Sequence, residues 1–182
     1  FINDDRTVGV PTTLLPASMM DGYLASFQGP ALPGWRFEDI LGTLADRASA
    51  YIRERAARAE PFLVYLPLTT PHTPISPSEK WRGRSGLNDY ADLVMETDDA
   101  VGRVLDAIDR LGIAGETYVV YTSDNGAGGG GARGRGAGLS GGKGSLWEGG
   151  IRVPFIVRGP GVEAGAFCRV PIVGWDLFPT FA

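Results

Sequence analysis

The sequence predicts an α/β fold with a mostly parallel sheet flanked by helices. Three observations carry that reading. Two short apolar runs, 62–66 (Phe-Leu-Val-Tyr-Leu) and 117–121 (Thr-Tyr-Val-Val-Tyr), have strand length and composition. A long amphipathic helical pattern lies between them. Roughly 50 residues separate the runs, room enough for the crossover that parallel strands require.

In chain order, residues 1–36 are punctuated by proline and glycine with little periodicity, and they read as an irregular surface segment. From about 37 to 59 the pattern turns helical, with Ile40, Leu41, Leu44, Ala48, Tyr51 and Ile52 recurring at spacings of three and four. Pro61 follows, as expected beyond a helix end. The run 62–66 is the first buried strand. Asn88 is a good N-cap, and the spacing predicts a second helix from there to about Leu111, with Gly112 as its stop. Its apolar stripe is Tyr90, Leu93, Val94, Thr97, Val101, Val104, Leu105 and Ile108. Asp98 lies on that face and reads as a buried hydrogen-bonding residue. The run 117–121 is the second strand, and 153–157, with Pro154 early in it, is a weaker third. Residues 126–144 hold eleven glycines, together with Arg133 and Arg135, and read as a mobile loop. The whole of 1–182 is expected to belong to one domain.

Composition bounds the function. The 182 residues suffice for one sizeable core, and 43% hydrophobic with 21% charged residues is ordinary for a globular chain. A net charge of -4 gives no electrostatic reason to expect nucleic acid or an anionic membrane as partner, and no apolar run is long enough to span a bilayer. The single cysteine, Cys168, excludes an internal disulfide framework and reads as an inert thiol. The chain starts at Phe1, so compartment is not read from a missing leader.

Ligands of open α/β sheets bind beyond the carboxyl ends of the strands. There the run 62–66 leads into Pro71-His72-Thr73-Pro74, which holds the only histidine, and the run 117–121 leads into Thr122-Ser123-Asp124-Asn125-Gly126. Asp124 and Asn125 offer hard oxygen donors, which suit Ca²⁺, or Mg²⁺, rather than zinc. Two donors are fewer than the six to eight oxygens that calcium takes, so others must come from elsewhere. Lys143, 18 residues beyond Asn125, stands among glycines as a point charge for sulfate or phosphate oxygens. His72 would be a second donor or a proton donor. Each signal also has a plainer reading: an Asp-Asn-Gly turn, a solvated loop lysine, a rigid-turn histidine.

Other patterns carry less. Gly142-Lys143 resembles a phosphate-binding loop, but Ala137 occupies the required earlier glycine and Gly144 stands where Ser or Thr is needed. Gly126, Gly128 and Gly131 spell a dinucleotide fingerprint with no helix after it. Glu148 and Arg152 flank Gly149-Gly150 and read as fixing the loop that presents Lys143.

From about residue 36 onward the chain resembles the formylglycine-dependent sulfatases of the alkaline phosphatase superfamily. The resemblance is carried by Pro71-His72-Thr73-Pro74, by Thr122 to Gly126, and by Gly142-Lys143-Gly144-Ser145-Leu146-Trp147-Glu148-Gly149-Gly150 with Arg152-Val153-Pro154. Asp176-Leu177-Phe178-Pro179-Thr180 fits too. It implies an alkaline-phosphatase-like fold and hydrolysis of an aryl or carbohydrate sulfate ester, with a hydrated formylglycine as nucleophile. It further implies that Asp124 and Asn125 are calcium ligands, and that Lys143 and His72 hold the sulfate and help the ester oxygen leave.

The chain departs from the family at the nucleophile. No Cys/Ser-x-Pro-x-Arg motif occurs, and Cys168-Arg169-Val170-Pro171 does not fit. Asp4-Asp5 resembles the family's acidic pair, but only Phe1 and Ile2 precede it and no nucleophile motif follows. The chain therefore reads as the middle of a sulfatase catalytic domain, inactive alone. The alternatives are a phosphate or phosphonate ester hydrolase of the same superfamily and a catalytically silent binding fragment.

Overall fold

The computed structural model describes residues 2–20, 23–58, 60–128 and 138–181. They form two compact units, Phe1–Ile113 and Ala114–Ala182.

In the first unit, residues 1–36 are more ordered than their punctuation suggests. β1 (Ile2–Asn3) and β2 (Arg6–Thr7) pair about the Asp4-Asp5 turn, where Asp4 takes a positive φ of 52°. That turn is the structural role of the acidic pair. β3 (Thr13–Leu15) pairs with β6 (Gly29–Ala31), and β4 (Ser18–Met20) with β5 (Tyr23–Ser26), all antiparallel. Strands of two to four residues are too short to leave a readable alternation, which is why the sequence looks irregular there.

A 3-10 turn, Phe37–Asp39, leads into α1 (Ile40–Ala56). α2 (Asp89–Arg110) begins where expected: the Asn88 side chain accepts from the Ala91 N–H at 3.0 Å. It ends in a Schellman arrangement, with Gly112 at φ 72°, Gly112 N donating to the Asp109 carbonyl and Ile113 N to that of Ile108. The two helices bury Leu41, Ala45, Leu93 and Ala100 against each other, with Leu68 and Ile75 packed on that cluster. The alanines permit close approach, and Arg103 of α2 pairs with Asp46 of α1.

Two expectations change here. The run 62–66 has no strand partner among the described residues. Burial alternates along it, and Leu63 and Tyr65 are 79% and 85% exposed. The expected parallel pairing with 117–121 is absent from the described ladders, which are all antiparallel. The buried face of α2 also differs from the apolar stripe. Asp98 is exposed and Val94 largely so, while Asp92 and Glu96 are buried. Apolar periodicity cannot count carboxylates, and these two are buried because backbone N–H groups satisfy them.

In the second unit, β7 (Val119–Thr122) pairs antiparallel with β8 (Phe155–Arg158), in register from Val119 opposite Arg158 to Thr122 opposite Phe155. β8 starts just after Pro154, which has no N–H for a ladder. The short α3 (Glu148–Ile151) precedes it. A 3-10 turn, Gly174–Asp176, leads into α4 (Leu177–Phe181). Asp176 of the Asp-Leu-Phe-Pro-Thr stretch caps that turn by accepting from the Val173 N–H at 2.9 Å.

Candidate active site

The antiparallel pairing of β7 and β8 decides the layout of the second unit. The chain leaves β7 at Thr122 and enters β8 at Phe155, and these two residues face each other across the ladder. The loop after β7 and the loop before β8 therefore lie at one end of it. Asp124 and Asn125 are on the first loop and Lys143 on the second. The antiparallel pair brings Asp124, Asn125 and Lys143 to one end of the ladder; the convergence expected from parallel strands was that of the His72 loop with the Asp124-Asn125 loop, and the described ladders hold no such pair.

Backbone hydrogen bonds join the two loops. Gly126 N donates to the Gly150 carbonyl at 3.0 Å, and Lys143 N to the Ala127 carbonyl at 2.9 Å. Glycine is required at this junction. A Cβ on Gly126 would overlap the Gly149 carbonyl oxygen, and one on Gly142 would come within 2.7 Å of the Ala127 carbonyl oxygen. Ser145 Oγ donates back to the Gly142 carbonyl at 2.8 Å, and Gly149 N to that of Ser140 at 2.7 Å. Lys143 is thus held by its own backbone while its side chain stays exposed. The ends of the expected mobile loop, 126–128 and 138–144, are pinned; its middle, 129–137 with Arg133 and Arg135, lies outside the described residues. The Arg152–Glu148 ion pair, 3.3 Å across one turn of α3, brackets Gly149-Gly150 as expected. Cys168 is exposed.

The donor atoms suit a hard divalent cation in kind and fall short of one in number. One Asp124 oxygen accepts from the Asn125 N–H at 2.9 Å. Asn125 Nδ2 donates to the Gly126 carbonyl at 2.9 Å, so its amide oxygen is the atom left to coordinate. Among the described residues no three His, Cys, Asp or Glu side chains group to hold a metal.

His72 belongs to the other unit. It is exposed and sits between two cis X-Pro bonds, Thr70-Pro71 and Thr73-Pro74. Nδ1 lies 2.9 Å from the Thr73 carbonyl oxygen and 3.2 Å from the Thr73 hydroxyl.

A family model described as Sulfatase matches residues 19–182. The chain belongs to the sulfatase family. It is 44% identical over 147 residues to the steryl-sulfatase of Mus musculus, an alignment covering 76% of this chain and 23% of that protein. The crystal structure of Ps i-CgsB in complex with k-i-k-neocarrahexaose matches with a TM-score of 0.70 and 29% identity, over 84% of this chain and 35% of that one. The PsFucS1 sulfatase from Pseudoalteromonas sp. matches with a TM-score of 0.64 and 28% identity, over 75% of this chain and 28% of that one. These matches establish the α/β, alkaline-phosphatase-like fold class that the sequence predicts, here in part. The chain spans about a quarter of the length of the curated sulfatases it matches.

Sequence reasoning missed the buried carboxylates of α2. Asp92, 1% exposed, accepts from Gly83 N at 2.6 Å and Ser85 N at 2.7 Å, and Glu96 accepts from Ser78 N at 2.8 Å. Hydrogen bonds from Ser85, side chain and backbone, together with that from Gly83, hold the Asp92 carboxyl below its ordinary value of 3.8 against the opposing effect of burial. The available signal was acidic residues spaced by four on a helix whose neighbouring loop is rich in glycine and serine.

Proposed function

We propose that the whole protein hydrolyses sulfate esters of an aryl or carbohydrate alcohol, and that both units of this chain are parts of one sulfatase-type catalytic domain. The observation that carries the reading is the junction of the Thr122 to Gly126 and Lys143 loops at one end of the β7–β8 ladder, in a chain of the sulfatase family. Asp124 and Asn125 would contribute two oxygen ligands to a divalent cation, Ca²⁺ or Mg²⁺. Such an ion, when bound, would neutralise a non-bridging sulfate oxygen and orient the nucleophile. Lys143 would place its ammonium on another sulfate oxygen as charge builds during S–O cleavage. His72, protonated at Nε2, would bind the sulfate and donate that proton to the departing ester oxygen.

The nucleophile is assigned to the whole protein, since these 182 residues contain no Cys/Ser-x-Pro-x-Arg motif. The family resemblance makes it a formylglycine. The likeness to a sulfatase steryl in name and to a structure holding a neocarrahexaose supports the breadth of the substrate class. The test is steady-state turnover of 4-nitrophenyl sulfate and 4-nitrophenyl phosphate by the protein expressed from its complete reading frame with Ca²⁺. Faster sulfate hydrolysis is expected; hydrolysis of the phosphate alone would assign the site to phosphate esters instead.

A further inference from the structure

The segments on either side of His72 are both fastened to one helix. Before it, Leu68 packs on the core formed by α1 and α2. The Thr70 hydroxyl lies 2.8 Å from that of Thr97, which itself donates to the Leu93 carbonyl at 2.7 Å. After it, Ile75 packs on the same core and Pro77 is fully buried. Ser78 N donates to Glu96, and Gly83 N and Ser85 N donate to Asp92. Of the fastening residues, Asp92 and Glu96 lie one turn apart on α2, and Thr97 is the next residue along it.

An exposed histidine in a loop has many conformations to lose on binding an anion, and misplacing a donor by about 1 Å can cost roughly 10²-fold in rate. A loop needs few of these bonds merely to stay folded, yet buried carboxylates are spent on backbone N–H groups that water would otherwise satisfy. We propose that α2 is a rack for the catalytic loop, with Thr97 and Glu96 as positioning residues that set where His72 presents Nε2. The proposal rests on the sulfatase reading for its functional consequence, but its structural claim can be tested separately.

His72 is the only histidine among the 182 residues, so its ring signals are unambiguous in this chain labelled with ¹⁵N-histidine. Thr97→Val removes the hydroxyl and keeps the shape; Thr97→Ser restores it. In Thr97→Val the His72 ring nitrogen shifts should move, and in Thr97→Ser they should return. In the protein from the complete reading frame, Thr97→Val should lower kcat for 4-nitrophenyl sulfate roughly tenfold, with Thr97→Ser recovering it. Unmoved ring shifts in a folded Thr97→Val variant overturn the rack. Moved shifts with unchanged kcat leave the rack standing and overturn the catalytic role of His72. If Thr97→Val does not fold by far-UV circular dichroism, Glu96→Gln, which keeps an acceptor oxygen, against Glu96→Ala decides by the same two readouts.

Discussion

At the scale of single residues, charge and close approach do different work. Lys143 is exposed and its backbone is tied to Ala127, so its substitution should leave the fold intact and remove one positive charge from the site. Lys143→Ala is expected to lower kcat for 4-nitrophenyl sulfate by about 10²–10³-fold, the usual effect of losing one donor to a developing anion, with an unchanged melting temperature. Gly126 behaves the opposite way. A methyl group there would overlap the Gly149 carbonyl, so Gly126→Ala should destabilise by roughly 1–3 kcal/mol, read as a lowered melting temperature. Asp92 sets a pH dependence. Its carboxyl is held below 3.8, so the stability it contributes is present above that value and is lost as pH falls through the lower folded value. Asp92→Asn should flatten the acid limb of a stability-against-pH curve; an unchanged limb would deny Asp92 that role. Asp124, Asn125, Lys143 and His72 could be proposed from the sequence because they stand in motifs of fixed order. Asp92 and Glu96 could not, because a buried carboxylate and a solvated one look alike until the N–H groups opposite are known.

At the scale of elements, helix ends were legible and strand partners were not. Asn88 and Gly112 declare the limits of α2 by local chemistry, and both caps stand where that chemistry puts them. Removing the Asn88 side chain with Asn88→Ala should cost about 1 kcal/mol, measured by urea denaturation. Strand pairing is a long-range property that a five-residue apolar run does not encode. The run 62–66 accordingly has no ladder among the described residues, and β7 meets β8 antiparallel. The loops carrying Asp124 and Lys143 meet because the end of one strand and the start of its antiparallel partner share an edge. In the first unit, α2 both builds the core with α1 and holds the segment on either side of His72.

At the scale of the molecule, much apolar surface stands in solvent: Leu63, Tyr65, Trp175 and Phe178 are each at least 78% exposed. Such surface binds partners or dyes, so the 182-residue chain alone should bind a hydrophobic dye strongly. It should also show no turnover of 4-nitrophenyl sulfate, because it holds no nucleophile motif, and detectable turnover would contradict the assignment of the nucleophile elsewhere. The proposed binding of a divalent cation by Asp124 and Asn125 belongs to the whole protein. Its most direct test is the dependence of 4-nitrophenyl sulfate turnover on Ca²⁺ concentration, after chelation, in the protein from the complete reading frame and in its Asp124→Ala variant. Saturable recovery of activity is expected in the parent, and in the variant recovery only at much higher Ca²⁺ or not at all. The same Ca²⁺ dependence in both proteins would contradict it.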